Sequence, residues 1–372
     1  MTTMTKKQNN QFVPDYASVP GATLLETIVE RGISQAELAE RTGRSKKHIN
    51  EIIKGKQPIT AETALQLERV LGVRADFWNN RQREYDEALA RIAERRRLSK
   101  HIGWARRFPY ADMVRLGWVR ETRNWVDRLS NLLDFFGMAG ISEWEERWTS
   151  PRAAFRRSKA FESNRFAVAA WLRAGERAAQ AMETKPYSET QLLAALKSAC
   201  GLSRMNVNEY LPRMTSLCAD AGAALVLVPE LSGTHTYGAT QWLTPDKALL
   251  QLSLRGKTED HLWFAFVHEA GHILKHGKKG KFIEATGKLK SEDKREAEAD
   301  KFACDFLIPR PQYDGFVLAG DFGAYAITRF AERLGIAPGI VVGRLQHDGK
   351  IDPSYHNGLK VRLRWAEPQT TN

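Results

Sequence analysis

A chain of 372 residues, 42% hydrophobic and 9% aromatic, is long enough for two or three domains with sizeable cores, which excludes wholesale disorder. Its apolar runs fall far short of the ~18 residues that a membrane span requires, and the opening "MTTMTKKQNNQFVPDYASVPG" has no apolar stretch of the secretory-signal kind. Three scattered cysteines (Cys200, Cys218 and Cys304) exclude a disulfide scaffold or a cysteine-type zinc site and fit a reducing cytoplasm. The formal charge of +12 favours polyanionic partners. Residues 91–180 concentrate it, with 19 Lys and Arg against 10 Asp and Glu. That excess reads either as solvated helix faces or as a surface lying along a nucleic-acid backbone.

In chain order, residues 1–20 are polar, carry two prolines and read as a flexible arm. Helical patterning runs from Ala22 to about Arg97, ending in "ERRRLSK", a solvated helix end or a hinge. A domain is expected over 21–90. From 91 to 215 a helical region follows with Trp104, Trp118, Trp125, Trp144, Trp148 and Trp171, expected as a packed core linking the two ends. Within it "YSETQLLAALKSACG" opens on Ser188 as an N-cap and closes on Gly201 as a C-cap. Strand signals begin only after Ala221. "AALVLVPE", "TYGATQWL" and "KALLQLSLR" are short β-rich runs separated by turn residues. Helix signals return from Thr258. Helices, a small sheet, then helices make an α+β chain rather than a repeated βαβ one, with a last domain over 216–372.

The segment "SQAELAERTGRSKKHINEIIKGKQPITAETALQLERVLG" has the anatomy of a helix-turn-helix. Ser34 caps a helix that turns Leu38 and Ala39 inward. Gly43 supplies the sharp turn, where a positive φ is cheap only for glycine. Ile49, Ile52 and Ile53 bury the second helix, which leaves Arg44, Ser45, Lys46, Lys47, His48 and Asn50 as exposed positions suited to phosphates and base edges in a major groove. The segment resembles the lambda-repressor-like class, and "INEIIKGKQPITAETALQLERVLGV" followed by "FW" is similar to the HigA-type antitoxin domain over about 65 residues. Arg44 departs from the class, which usually has an aliphatic residue there. The resemblance implies a phosphate contact from Gln35, a homodimer on paired half-sites of a double-stranded DNA operator, and a toxin as a further partner.

In "WFAFVHEAGHILKH" (Trp263–His276), His268 and His272 stand four apart, on one face of a helix. That spacing lets both imidazoles reach one tetrahedral Zn²⁺ at ~2.0–2.1 Å, while Glu269 can serve as general base and proton shuttle in peptide hydrolysis. A third ligand must come from elsewhere. "SEDKREAEADKFACDFLIP" supplies Glu296, with Asp300 one turn on and placed to hydrogen-bond a ligand histidine. Glu298 is the alternative ligand; it sits about 200° around the helix from Glu296. His276 lies too far along to join the site and reads as a cation at the helix C-terminus. His235, His261 and His347 have no ligand-like spacing.

"HEAGHILKH" followed by "EAEADKFACDFLIP", and the tail "IAPGIVVGRLQHDGKI", resemble the ImmA/IrrE family of zinc metallo-endopeptidases over roughly Ala221–Arg364. The resemblance implies a minimal zincin-like fold whose sheet edge takes up extended substrate by strand addition, with "GATQWL" as the candidate edge. It also implies cleavage of a repressor or antitoxin-like protein. Together the two halves are expected to make a cytoplasmic DNA-binding regulator that carries a zinc endopeptidase. The alternative expectation is an antitoxin-like repressor whose zincin half is a non-catalytic sensor.

Overall fold

The computed structural model describes residues 17–149, 164–277, 282–285 and 294–366; most of the arm expected over 1–20 lies outside them. The chain divides into two units, Met1–Ile102 and Gly103–Asn372.

In the first unit the turn chemistry of the sequence sets where helices begin and end. The helices are α1 (Pro20–Glu30), α2 (Gln35–Thr42), α3 (Lys46–Ile53), α4 (Ala61–Leu71) and α5 (Ala75–Ser99). Ser34 accepts the Glu37 N–H at 3.1 Å, and Ser45 accepts the His48 N–H at 3.1 Å. Each such cap is worth about 1 kcal/mol. Gly43 ends α2 at φ +69°. Leu24, Ile28, Leu38, Ile49, Ile52, Leu67 and Trp78 form the core, each contributing ~1.5–3 kcal/mol by leaving water. Gly21 is a packing residue that the helical pattern does not reveal: a Cβ there would lie 2.1 Å from the Ile52 carbonyl oxygen, so α1 crosses α3 backbone to backbone. Residue 90, the expected end of this domain, falls inside α5, and "ERRRLSK" forms that helix's last turns.

The second unit opens with α6 (Tyr110–Arg115), α7 (Trp125–Phe136), α8 (Ile141–Thr149), α9 (Arg165–Ala181), α10 (Glu189–Cys200) and α11 (Val207–Asp220). Trp104, Trp144 and Trp148 are buried with Phe108, Phe136 and Phe166 in one aromatic cluster. Trp118 and Trp125 are half-buried. Ser188 caps α10 as expected, whereas Gly201 closes it at φ −64° and leads into a short 3-10 turn.

A mixed sheet follows: β1 (Ala223–Leu227), β2 (Thr236–Thr244), β3 (Lys247–Leu252) and β4 (Phe282–Ala285), in the order β1-β3-β2-β4. Alternation divides β3 between two faces. Ala248, Leu250 and Leu252 join Trp263 and Phe266 of α12 (Glu259–His276) in the main core. Gln251 points the other way and donates to the Trp171 carbonyl of α9 at 2.8 Å; Gly175 makes room for it, since a Cβ there would be 1.9 Å from the Gln251 amide oxygen. The sheet is thus enclosed by α12 on one face and α9 on the other. The chain closes with α13 (Lys294–Leu307), α14 (Arg310–Ala319), α15 (Ala324–Leu334) and α16 (Pro338–His347).

The sheet edge expected at Gly238–Leu243 is corrected by the topology. β4 pairs antiparallel with β2 through Gly238–Glu284, Ala239–Ile283 and Thr240–Phe282, so the first half of that segment is interior. The backbone beyond α12 returns beside β2 and takes up the hydrogen-bonding groups an open edge would leave unpaired. Among the described strands, β1 and β4 are the outer two.

Candidate metal centre and nucleic-acid interface

The helix α12 is buried along most of its length, and His268, Glu269 and His272 are each at most 1% exposed. Polar groups that deep must find partners. For the histidines the partner is α13. It crosses α12 closely because Gly271 carries no side chain: a Cβ there would stand 2.9 Å from the Phe302 ring and 3.6 Å from the Ala299 Cα. The crossing brings Glu296 to both imidazoles, at 3.3 Å from His268 Nε2 and 3.5 Å from His272 Nε2. The two Nε2 atoms lie 3.0 Å apart.

These three residues, and no others among those described, form a cluster able to hold a metal ion. Three donors around a tetrahedral ion at ~2.0–2.1 Å stand about 3.3 Å from one another, and separations of 3.0, 3.3 and 3.5 Å bracket that spacing. The donor set of two neutral imidazoles and one carboxylate suits a borderline ion. Burial pushes the Glu296 carboxyl up, but hydrogen bonds from the two histidines, and their charges whenever they are protonated, outweigh it and hold it at about 2, so the carboxylate is the form present to ligate. Burial also lowers His272 below the usual histidine value, which favours the neutral, ligating form. Asp300 Oδ1 lies 2.9 Å from His268 Nδ1. A carboxylate there places the imidazole proton on Nδ1 and leaves Nε2 as the donor atom.

Glu298 is turned away: it is largely exposed and lies 3.7 Å from His276 Nδ1. His276 lies outside the cluster and reaches the Arg295 carbonyl at 3.0 Å. His261 is held by Thr258, and His347 by Asp348.

Two residues of β2 that the sequence reading passed over shape the position of Glu269. The Thr240 hydroxyl lies 2.5 Å from Glu269 Oε2 and 3.1 Å from its backbone oxygen. A Cβ at Gly238 would sit 2.5 Å from Glu269 Oε1, so only glycine leaves space for the carboxylate. A lone glycine inside a strand pattern is the signal that could have marked this close approach.

In the first unit, Ser45, Lys46 and Lys47 are exposed at the start of α3, whereas His48 and Asn50 are only half-exposed. Asn50 Nδ2 donates to Gln35 Oε1 at 3.3 Å, tying α3 to the first residue of α2. Arg44 needs correction. It is not an exposed groove-facing residue, because its Nε donates to Gln66 at 2.8 Å and its Nη2 lies 3.0 Å from Glu62. Standing where the class usually has an aliphatic side chain, it folds back over α4.

Comparison with known proteins places both regions. Residues 24–78 match a helix-turn-helix family model, and residues 225–346 match the model of a peptidase family, described as IrrE N-terminal-like domain. The chain is 40% identical over 72 residues to virulence-associated protein I of Dichelobacter nodosus, covering 19% of this chain and 67% of that protein. Among solved structures it is similar to the Pseudomonas aeruginosa antitoxin HigA with the higBA promoter, at 35% identity over 21% of this chain and 86% of that one, TM-score 0.21. It is also similar to a second Pseudomonas aeruginosa structure, a protein in complex with its 18-base-pair operator DNA, at 35% identity over 21% and 85%, TM-score 0.20. Over residues 225–346 the chain carries a domain that matches the IrrE N-terminal-like peptidase family, and ahead of it a helix-turn-helix domain related to virulence-associated protein I.

Proposed function

We propose that this chain is a DNA-binding transcriptional regulator whose second unit is a zinc endopeptidase that cuts a regulatory protein, a repressor or an antitoxin-like chain. The observation that carries the reading is the buried cluster of His268, His272 and Glu296 with Glu269 beside it. His268 Nε2, His272 Nε2 and the Glu296 carboxylate would hold the zinc, with Asp300 orienting His268. Bound there, zinc supplies Lewis-acid polarisation of the scissile carbonyl and acidifies water. Glu269, held by Thr240, takes up the proton of the attacking water and passes it to the leaving amine. In the first unit Lys46, Lys47 and Ser45 meet phosphates, Asn50 and His48 face the groove, and Gln35 anchors the start of α2. Operator DNA in the similar Pseudomonas aeruginosa structure supports that part, and paired half-sites would call for a homodimer. Among the described residues no helix is long and apolar enough to cross a membrane, in keeping with action in the cytoplasm.

The Thr240 hydroxyl bond to Glu269 also favours a second reading, in which Glu269 is a structural acceptor and the domain is a non-catalytic sensor. Co-expression of the wild type and Glu269→Gln with neighbouring regulators separates the two. A zinc-dependent cleavage product from the wild type, reduced at least ~10²-fold in the variant, is expected. Identical reporter regulation by both, with no product from either, would remove the enzyme reading in favour of the sensor.

A further inference from the structure

The basic stretch that reads either as solvated helix faces or as a nucleic-acid surface runs into the second unit, where residues 106–128 hold six arginines, no lysine and three carboxylates. Asp112 is engaged within the unit: the Ser232 hydroxyl donates to it at 2.6 Å, and Arg115 pairs with it at 2.9 Å. The other arginines, Arg106, Arg107, Arg120, Arg123 and Arg128, outnumber Glu121 and Asp127. None of the five makes an ion pair among the described residues. Arg106, Arg107, Arg120 and Arg123 are exposed, and Arg128 is half-buried.

Backbone bonds and stacking, rather than charge, fix this surface. The connection between α6 and α7 is pinned through its carbonyls. The Tyr110 hydroxyl and Asn131 Nδ2 donate to the Arg120 carbonyl at 2.6 and 3.3 Å, and Arg128 Nε donates to the Thr122 carbonyl at 2.8 Å. The side chains of Arg120 and Arg123 take no part in holding it. The guanidinium groups of Arg106 and Arg128 lie on the Trp125 ring, 5.0 and 4.4 Å from its centre, and that of Arg107 lies 4.1 Å from the centre of Phe166. Stacking orders a guanidinium in advance and leaves its N–H edge for an anion.

The partner follows from what the surface offers and what it lacks. Unpaired guanidinium forks suit phosphates or carboxylates. A folded protein partner would need apolar anchors at its centre, and among the described residues 103–149 no large hydrophobic side chain is exposed. A single strand would need open aromatic faces for its bases, whereas Trp125 and Phe166 already carry arginines. A duplex backbone needs neither. The helix-turn-helix of the same chain would hold such a duplex at high effective concentration for a second contact.

We propose that Arg106, Arg107, Arg120, Arg123 and Arg128 form a second DNA-contacting surface, which neutralises phosphates of duplex DNA beside the site bound by the helix-turn-helix. The assignment rests on DNA binding by the first unit, so its test varies the two surfaces separately. Fluorescence anisotropy of the full chain is measured on a duplex carrying a site selected from a random pool, with long flanks on each side. Arg120→Gln with Arg123→Gln removes two phosphate contacts and should make the slope of log affinity against log salt about 1.8 shallower. Adding Arg106→Gln should bring the change to about 2.7, so that between about 50 and about 200 mM salt the wild type loses about 40-fold more affinity than the triple variant. Arg120→Lys with Arg123→Lys keeps both charges and should keep the slope. An unchanged slope in the glutamine pair, whose side chains do not hold the loop, overturns the proposal. If poly-glutamate or single-stranded DNA displaces the duplex as well as unlabelled duplex does, and only when the arginines are present, the surface takes an acidic chain or an unpaired strand and the proposal falls. Lys46→Ala with Lys47→Ala separates this result from the first unit's. A slope that responds to the arginines but not to the lysines keeps this surface and takes α3 out of the groove. The reverse keeps α3 in the groove and removes this surface.

Discussion

Helix α3 of the first unit and helix α12 of the second both present functional side chains, but they do so under opposite physical conditions. Lys46 and Lys47 are exposed on a helix whose cap, turn glycine and buried isoleucines all lie within twenty residues of it. His268, Glu269 and His272 are buried, and their arrangement depends on a strand and a helix distant in sequence. An exposed recognition helix can change its contacts with little effect on stability. A helix that buries its polar side chains cannot, because each polar group there must be satisfied by a neighbour whether or not it does chemistry. The comparison predicts that substitutions in α12 and its supports move stability and function together, while those at the start of α3 move function alone.

The largest separable effect on stability is expected at the first turn of α12. Burial raises the Glu259 carboxyl to about 7, partly offset by the hydrogen bond from Trp263 and reinforced by the charge of Asp260. A carboxyl raised above its ordinary 4.5 stabilises the fold fully below that value. The contribution is lost as pH rises through about 7. Glu259→Gln keeps an acceptor for Trp263 and removes the titration. Urea denaturation should show the wild type losing up to about 3 kcal/mol between pH 4.5 and 7 relative to the variant. Parallel pH profiles for the two proteins would break the contrast at this position.

Next comes Gly238→Ala. The added methyl would stand 2.5 Å from Glu269 Oε1, and strand and helix cannot both keep their places. A loss of ~1–3 kcal/mol in stability is expected, together with reduced cleavage as Glu269 leaves Thr240. A variant as stable and as active as the wild type would show that the carboxylate is not held by this strand.

These two positions also mark how far sequence alone could reach. The histidine spacing in α12 and the later Glu-x-x-x-Asp were legible because helical periodicity is local, and it placed His268, His272 and Glu296 on facing surfaces. The same periodicity set Glu298 about 200° around the helix from Glu296 and so favoured Glu296, but the crossing at Gly271 that brings Glu296 to the histidines is a tertiary contact that periodicity only hints at. The caps Ser34 and Ser188 and the turn at Gly43 were readable for the same local reason. Thr240 and Gly238 were not, since strand register decides which residue of "TYGATQWL" faces α12, and a one-residue slip reverses the faces. The pairing of β4 with β2 joins a short run after α12 to a strand some forty residues earlier, so the supposed edge could not be seen as covered. In the head, Gly21 escaped because a close helix crossing leaves no periodic trace.

On the exposed side, Lys46→Ala with Lys47→Ala should leave stability within about 0.5 kcal/mol of the wild type. If both lysines neutralise phosphates, the slope of log affinity against log salt becomes about 2 shallower. Fluorescence anisotropy on a DNA duplex selected from a random pool measures both affinity and slope. An unchanged slope would take the start of α3 out of the groove. A large loss of stability would remove the distinction between the two helices.

The smallest effect tests the residue that breaks the local pattern. Arg44 belongs to the exposed turn by sequence, yet its guanidinium is engaged by Gln66 and Glu62 of α4. A partly exposed ion pair of this kind contributes ~0–1 kcal/mol, and an apolar side chain of similar reach can cover the same surface of α4. Arg44→Leu should therefore leave stability nearly unchanged, operator affinity within about twofold, and the salt slope within about 0.3 of the wild type, because no phosphate contact is removed. A slope shallower by about 1 would mean that DNA draws Arg44 off α4, exchanging Glu62 for a phosphate. Glu62 would then be the group that keeps the head from binding polyanions indiscriminately, and Glu62→Gln should raise affinity for non-specific duplex DNA.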